Sequence, residues 1–280
     1  MADPASDPVL NVETHGLGEG RPVVALHGFL ATLESWRGLV RLVPGRELRL
    51  FDLKGHGASP CPADGKYTVR DQADLVLAGI ATLRDVTLVG HSFGGGVAIL
   101  VAIELMKQQR LDRLVLVDAL AFPENLSTWA KWLRDFWLSA YLTVLPFWLS
   151  ETAAGAAVRA GLKMLCQQPQ NITDASVKAY VGNLRQPARA NALIQTGRYL
   201  VEEHYREIES GLQDIKVPTL IVWGRDDPLV PPDPNTGKLL RGIQGSRLFV
   251  PDGPCGHIAH EELPHPVLDE IAAFISAAPR

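Results

Sequence analysis

Cysteine is scarce in this sequence of 280 residues, which contains only Cys61, Cys166 and Cys255. Their odd number and wide spacing fit neither a disulfide framework nor a metal-binding motif, and unpaired thiols are typical of a reducing compartment. Cys255 lies two residues before His257, which raises the question of a cysteine nucleophile. We interpret it as a small packing residue, because a better nucleophile is present elsewhere.

Long hydrophobic runs are also absent. A membrane-spanning helix needs roughly 18–20 apolar residues, whereas the nearest candidate, Phe136 to Ser150, is shorter and contains Pro146. The N-terminal sequence MADPASDPVL lacks the positive segment and the apolar core of a secretory signal. We therefore expect a cytoplasmic protein without a transmembrane segment.

The sequence has no excess of basic charge. It contains 27 basic and 31 acidic residues, for a formal net charge of -4, which argues against nucleic acid and against an anionic membrane as partners. With 46% hydrophobic and 21% charged residues, the composition is that of a globular protein with a sizeable core. The length suits one α/β enzyme core with an insertion.

Short apolar runs rich in leucine and β-branched residues indicate strands that are buried on both faces, as in a parallel sheet. These runs are RPVVAL (21–26), ELRLFD (47–52), VTLVG (86–90), RLVLVD (113–118), TLIVW (219–223) and SRLFV (246–250). Helical patterns over 68–83, 93–109 and 263–277 alternate with them, which predicts an α/β fold. Residues 8–15 are predicted to add an antiparallel strand at the edge of the sheet.

One region, residues 122–212, contains no convincing strand. Its aromatic residues follow helical spacing, and Pro146, Pro169 and Pro187 divide it. We interpret it as a helical insertion between two strands of the core. The core domain then comprises residues 1–121 and 213–280.

The sharpest chemical signal is GHSFG at 90–94, between a predicted strand and a predicted helix. In this context a G-x-S-x-G sequence forms a turn so tight that the serine takes a strained conformation, and glycine is needed on either side of it. The N-terminus of the helix then points at the reaction centre and favours developing negative charge. We predict that Ser92 is a catalytic nucleophile.

A serine nucleophile needs a base, and the base needs an acid that orients it. Asp227 and His257 follow the last two predicted strands, so both are expected on the sheet edge that carries the nucleophile. We prefer Asp227 to Asp226 as the acid because Pro228 restricts the backbone of the residue before it. Asp226 is expected to cap the turn or face solvent, and Asp118 to be a buried turn carboxylate.

The other histidines near these motifs are assigned supporting roles. His27 is expected to hold its loop by hydrogen bonds, and His91 to point beneath the nucleophile turn. His260 and His265 lie at the edge of the last predicted helix, where a solvated position is expected.

An oxyanion hole needs two amide donors close to the attacked carbon. The residue after the nucleophile is Phe93, and an earlier predicted strand ends in His27-Gly28-Phe29. Because Gly28 allows the backbone to approach closely, we predict that the amides of Phe29 and Phe93 are the donors.

Together these motifs resemble the α/β-hydrolase superfamily. The matching segments are HGF (27–29), DLKGHGAS (52–59), GHSFGG (90–95), WGRDDPLVP (223–231) and GHIAHEELP (256–264), in the family's order. The resemblance implies a mostly parallel sheet of eight strands with flanking helices, and a helical cap formed by the insertion. It implies the same roles for the triad and for the two amides. Lys54 departs from the arginine that relatives often have, in a loop that is usually structural.

The type of nucleophile limits the chemistry, because serine suits attack on an acyl carbonyl. We predict a serine hydrolase that cleaves an apolar carboxylic ester through an acyl-enzyme intermediate, without a metal or an organic cofactor. Trp129, Trp132 and Trp137 belong to a segment that holds four of the six tryptophans. They are candidates for an apolar substrate pocket, and ordinary packing of the cap on the core is the alternative.

Other activities suit the same residues. One is a carbon–carbon bond hydrolase, although the Gly-Pro-Gly that often marks such enzymes is missing after His27-Gly28. Another is a perhydrolase or haloperoxidase-like enzyme. A rival from a different class is a small-molecule receptor of hydrolase fold, which would retain its ligand where an enzyme turns over repeatedly.

Overall fold

A seven-stranded sheet forms the centre of the computed structural model, which describes residues 9–16, 18, 20–132 and 150–278. The strands are β1 (Val12–His15), β2 (Val23–Leu26), β3 (Leu48–Phe51), β4 (Val86–His91), β5 (Leu111–Val117), β6 (Thr219–Val222) and β7 (Arg247–Phe249). Their order is β1-β3-β2-β4-β5-β6-β7. Every neighbouring pair is parallel except β1 with β3.

The sheet confirms the predicted α/β class and the antiparallel strand at its edge. The resemblance implied eight strands, whereas the described residues form seven.

Helices connect the strands, and the predicted helical segments 68–83, 93–109 and 263–277 each coincide with one of them to within a few residues. The helices are α1 (Val69–Gly79), α2 (Ser92–Lys107), α3 (Thr128–Trp132), α4 (Glu151–Leu165), α5 (Asp174–Leu184), α6 (Pro187–Arg198), α7 (Arg206–Gly211), α8 (Pro232–Gly242), α9 (Ala259–Glu262) and α10 (Pro264–Ser276). Short 3-10 helices lie at Leu33–Arg41, Pro123–Asn125, Pro169–Asn171, Glu202–Tyr205 and Leu212–Asp214. No described helix is both long and apolar enough to cross a membrane.

The core lies in two layers, one on each face of the sheet. Val24 and Leu26 of β2 pack into the layer that contains α1 and α2. Val23 and Ala25 of the same strand pack into the layer that contains Trp36 and α10. Burial on both faces explains why the strands were visible as continuous apolar runs.

The chain between β5 and β6 contains no strand over residues 118–132 and 150–218. Helices α4, α5 and α6 pack around an apolar cluster of their own, which also includes Ile258 and the partly buried side chains of Phe29 and Leu30. The helical insertion therefore meets the core beside two of the predicted site loops. The predicted domain bounds stay a prediction.

The expected solvent exposure of His260 is wrong. The side chain of His265 is 97% exposed, but His260 is only 1% exposed. Its ring stacks on Trp36, with ring centroids 4.3 Å apart. The cause is the short helix α9, which precedes α10 and turns His260 towards Trp36 in the core layer that contains α10. Burial, and to a smaller extent the neighbouring His257, lowers the pKa of His260 to about 3.

We expect His260 to make the fold sensitive to acid. In the unfolded chain the His260 ring is protonated below about pH 6.5, whereas in the folded chain it stays neutral down to about pH 3. The free energy of unfolding should therefore fall by about 1.4 kcal/mol per pH unit across this window from this one group. The variant His260→Phe keeps a ring against Trp36. In urea unfolding, the slope of its unfolding free energy against pH should be about 1.4 kcal/mol per pH unit smaller than that of the wild type.

His265→Phe is the matched control, because the side chain of His265 is exposed. It should leave the pH dependence of the unfolding free energy unchanged. A His260→Phe variant whose slope between pH 4 and 6 equals that of the wild type would contradict the assignment.

Candidate active site

The sharp turn between β4 and α2 carries Ser92. Its φ is 50°, in the left-handed region that residues other than glycine rarely adopt. A Cβ at Gly90 would lie 2.4 Å from the Gly94 carbonyl oxygen, and a Cβ at Gly94 would lie 2.3 Å from that of His27. The turn predicted from GHSFG is present, and it holds the serine at the N-terminus of α2.

Ser92, His257 and Asp227 form a continuous chain of hydrogen bonds. Nε2 of His257 lies 2.8 Å from Oγ of Ser92, and Nδ1 lies 2.7 Å from Oδ2 of Asp227. All three residues are buried. When the aspartate is ionised it only accepts, so Nδ1 carries the ring hydrogen and Nε2 accepts from the serine hydroxyl. The structure thus brings together the three residues that the sequence predicted.

The side chains of the neighbouring Asp226 and Asp227 point in different directions. Oδ1 of Asp227 accepts hydrogen bonds from the amides of Leu229 and Val230, at 2.8 and 2.9 Å, which holds the other oxygen towards the histidine ring. Asp226 is exposed, and its Oδ2 accepts from the amide of Cys255 at 3.3 Å. Asp226 therefore fastens the turn, as expected.

Asp118 is a buried turn carboxylate, also as expected. Its Oδ1 accepts from the amide of Gly224 at 2.7 Å, and its Oδ2 accepts from the amide of Ala259 at 3.2 Å. Burial, together with the neighbouring Asp227, raises the pKa of Asp118 well above its usual value. Asp118 thus joins the loop after β6 to the start of α9.

A further buried carboxylate, Glu262, holds the loop that carries His257. Its Oε1 accepts from the amide of Gly256 at 2.9 Å, and its Oε2 accepts from the amides at 167–168, at 2.7 and 3.1 Å. The His257 amide donates to the carbonyl of Leu165 at 2.9 Å. The end of α4 and the residues after it therefore fasten the loop of the candidate base.

His91 supports His257 from beneath the turn, where the sequence placed it. Its Nε2 lies 2.9 Å from the carbonyl oxygen of His257, so that nitrogen carries the hydrogen and donates it. Burial lowers the pKa of His91 well below its usual value, and the neighbouring His260 and His257 lower it further. The ring is therefore neutral.

Glu262 was missed by the sequence reasoning. The sequence shows two adjacent acidic residues, Glu261 and Glu262, in GHIAHEELP, but it does not show that they are buried. Buried carboxylates need hydrogen-bond donors. Two of the donors to Glu262, the amides at 167–168, lie more than ninety residues away in the chain, so the sequence could not name them.

The two residues predicted to supply the oxyanion hole are close to Ser92: Phe93 follows it in the chain, and Gly28 before Phe29 packs near it. The Phe93 amide belongs to the first turn of α2, where amides have no acceptor within the helix. Phe29 follows Gly28, and a Cβ at Gly28 would lie 2.6 Å from Nδ1 of His91 and 3.2 Å from Cβ of Ser92. Only glycine lets this loop approach so closely. That the two amides bind an oxyanion stays a prediction.

His27 holds the loop before Phe29, as expected. The Leu53 amide donates to its Nε2 at 2.9 Å, so Nδ1 carries the hydrogen and donates to the Gly28 carbonyl at 2.8 Å. Burial lowers the pKa of His27 to about 4. A neutral ring is required for this pair of hydrogen bonds.

Cys255 does not have the environment of a nucleophile. It is fully buried, and burial beside the carboxylates of Asp118 and Glu262 raises the pKa of its thiol. A thiol kept protonated is a poor nucleophile, which agrees with its interpretation as a packing residue.

The candidate pocket tryptophans lie partly beyond the described chain. Trp129 packs against the core, and its Nε1 donates to the Pro228 carbonyl at 3.0 Å, next to Asp227. Trp132 is 52% exposed at the end of α3. Trp137 lies outside the described residues. Their role in substrate binding stays a prediction.

Comparisons with known proteins agree with this fold. The family model of the α/β-hydrolase fold matches residues 21–264. The chain is 29% identical over 273 residues to the AB hydrolase superfamily protein YisY of Bacillus subtilis, covering 92% of each. It is 29% identical over 259 residues to a non-heme chloroperoxidase of Kitasatospora aureofaciens, covering 86% of this chain and 87% of that protein.

Among solved structures, a thermophilic esterase from Thermogutta terrifontis superposes with a TM-score of 0.74 at 23% sequence identity. The match covers 95% of this chain and 92% of the esterase. At that identity the likeness concerns the fold. The family model, however, spans most of the sequence and includes the motifs around Ser92 and Asp227. The chain belongs to the α/β-hydrolase family.

Proposed function

We propose that the protein is a serine hydrolase that cleaves apolar carboxylic esters through an acyl-enzyme intermediate. The hydrogen-bonded chain of Ser92, His257 and Asp227 carries this proposal. It supplies a nucleophile with a base 2.8 Å from its oxygen and an acid 2.7 Å from the other ring nitrogen, which is the arrangement that activates a serine hydroxyl.

In the first half-reaction, Oγ of Ser92 attacks the ester carbonyl carbon while Nε2 of His257 takes the hydroxyl proton. Asp227 stabilises the imidazolium that forms. The amides of Phe29 and Phe93 donate hydrogen bonds to the oxyanion. The bond between the carbonyl carbon and the alcohol oxygen then breaks, and His257 returns the proton to the leaving alcohol.

In the second half-reaction, water attacks the ester formed on Ser92. His257 takes a proton from the water, the bond between the acyl carbon and Oγ breaks, and the proton returns to Oγ. The acid leaves, and the residues are restored. This chemistry needs no redox partner, because no atom changes its oxidation state overall.

The apolar environment supports an apolar substrate. Phe29 and Leu30, on one side of the site, and Ile258, next to the base, join the apolar cluster of the insertion. The insertion also contacts the loop of His257 directly. We propose that it acts as the cap over the substrate and that Trp129, Trp132 and Trp137 contribute to the pocket.

The relatives do not all bear the name of esterases, so the bond cleaved is the part of the proposal that needs testing. A panel should contain p-nitrophenyl esters of increasing acyl length, a vinylogous diketone and a peroxide-dependent halogenation assay. Repeated turnover of esters supports the proposal. Turnover of the diketone alone, or tight binding followed by a single slow turnover, would replace it with a carbon–carbon hydrolase or a receptor.

We expect Ser92→Ala to lower kcat on a p-nitrophenyl ester by at least about 10⁴-fold, because the acyl-enzyme cannot form. The melting temperature should not fall. Cys255→Ala is the control for the other nucleophilic side chain of the region and should keep kcat within about threefold. Normal turnover by Ser92→Ala would overturn the proposal.

The acid gives a second prediction. Asp227→Asn should lower kcat/KM at neutral pH by about 10³–10⁴-fold, because an amide does not stabilise the imidazolium and favours the wrong tautomer. Asp226→Asn, which alters an exposed turn, should stay within about twofold of the wild type. The reverse result would move the role to Asp226, and no effect from either change would move it to Asp118.

A further inference from the structure

A buried asparagine of the insertion enters the core beside the candidate oxyanion loop. Asn183 lies near the end of α5 and is 1% exposed. Its Nδ2 donates to the carbonyls of Leu30 and Ala31, both at 2.9 Å, and its Oδ1 accepts from the amide of Gly57 at 2.8 Å. Both amide hydrogens and the oxygen of the side chain therefore bind backbone of the core.

The loop held in this way follows directly on Phe29, whose amide is one of the two proposed donors. Leu30 has a φ of 66°, a conformation that a branched side chain disfavours and that persists only where the surroundings enforce it. The Ala31 amide donates to the Gly28 carbonyl at 3.2 Å, which closes the turn on itself. Asn183 ties the Leu30–Ala31 side of this turn to the insertion, while His27 ties its Gly28 carbonyl to the loop after β3.

The chemistry of the asparagine side chain is specific to this position. Two carbonyl oxygens face it from the Leu30–Ala31 segment, so a donor with two hydrogens is needed there, while the Gly57 amide needs an acceptor. Aspartate would still accept from Gly57 but would face the two carbonyls with an oxygen. Alanine would leave the buried carbonyl of Ala31 and the partly buried carbonyl of Leu30 and amide of Gly57 without this partner, and polar groups that lose their partner inside the protein are costly.

We propose that Asn183 is a positioning residue for the oxyanion hole: it fixes the Leu30–Ala31 carbonyls and thereby the Phe29 amide, so that the hole is complete only when the insertion is seated on the core. This inference rests on the proposed ester hydrolysis. It assigns to α5 a role in the chemical step, in addition to covering the substrate.

The consequence concerns the transition state more than substrate binding. A donor aimed at the oxyanion acts when charge develops on the oxygen, and loss of one such donor lowers kcat by about 10²–10³-fold in other enzymes. A displaced donor retains part of that effect. For Asn183→Ala we therefore expect kcat on a short p-nitrophenyl ester to fall about 10–100-fold, with KM changed by less than about threefold.

The experiment compares Asn183→Ala and Asn183→Asp with two controls. Thr196→Val removes a buried hydrogen bond that stays inside the insertion, from Oγ1 of Thr196 to the Ala192 carbonyl. Tyr199→Phe removes a different bond between insertion and core, to the Gly65 carbonyl. For each variant, kcat, KM, melting temperature and the inhibition constant of a boronic acid, which forms a tetrahedral adduct on serine, are measured.

We expect Asn183→Ala and Asn183→Asp to lose kcat and boronate affinity in parallel, while both controls keep them even where the melting temperature falls. If Asn183→Ala is destabilised, Asn183→Asp separates lost positioning from lost stability. Its carboxylate still accepts from the Gly57 amide, but it cannot donate to the carbonyls of Leu30 and Ala31. Wild-type kcat in Asn183→Asp, or losses equal to those of a control with the same melting temperature, would reduce Asn183 to a structural residue and overturn the inference.

Failure of the underlying function would look different. In that case the wild type would not turn over esters, or Ser92→Ala would be as active as the wild type, and the inference would fall together with the proposed function. If the wild type is active and depends on Ser92 but Asn183→Ala matches the controls, only the inference about Asn183 is wrong.

Discussion

Ser92 keeps its left-handed backbone because both ends of its turn are fixed by packing. Strand β4 lies between β2 and β5, and all of its residues are buried. The Ser92 carbonyl accepts from the amide of Leu120 at 2.9 Å, which ties the turn to the segment after β5. A strained residue of this kind costs about 1–3 kcal/mol, and the surrounding sheet and helix offset that cost. The position of the hydroxyl is therefore set by the backbone, and the partners of Ser92 must be brought to it.

The insertion helps to hold the partners of Ser92 in place. At the end of α4, the Leu165 carbonyl and the amides at 167–168 bind the loop of His257, directly and through Glu262. At the end of α5, Asn183 binds the loop that follows Phe29. These contacts reach both the loop that carries His257 and the loop that follows Gly28. An insertion attached only by apolar packing could slide over the core, whereas hydrogen bonds to backbone groups fix its register.

Much of this arrangement could be predicted from local patterns. The buried strands show as apolar runs, and Ser92, Asp227 and His257 each follow a strand that ends at the same edge of the sheet. The contacts of Asn183 with Ala31 and of Glu262 with the amide of residue 167 could not be predicted in this way, because they join residues 152 and 95 positions apart in the chain. His260 was placed in solvent because the periodicity suggested one helix, whereas the chain forms α9 before α10. Sequence patterns report the burial of an element well, but they do not report which distant backbone groups meet a polar side chain.

The neutral histidines around the site bear on the charge that His257 would acquire in the proposed reaction. The rings of His91 and His257 are 5.2 Å apart. A positive charge on His91 would repel the imidazolium by about 3 kcal/mol at an effective dielectric constant of about 20. Burial prevents this by lowering the pKa of His91, and it lowers the pKa of His260 to about 3. The same burial raises the pKa of Asp118, which disfavours a second negative charge beside Asp227. The packing that encloses the site thus also leaves Asp227 as the hydrogen-bonded carboxylate that meets the charge on His257.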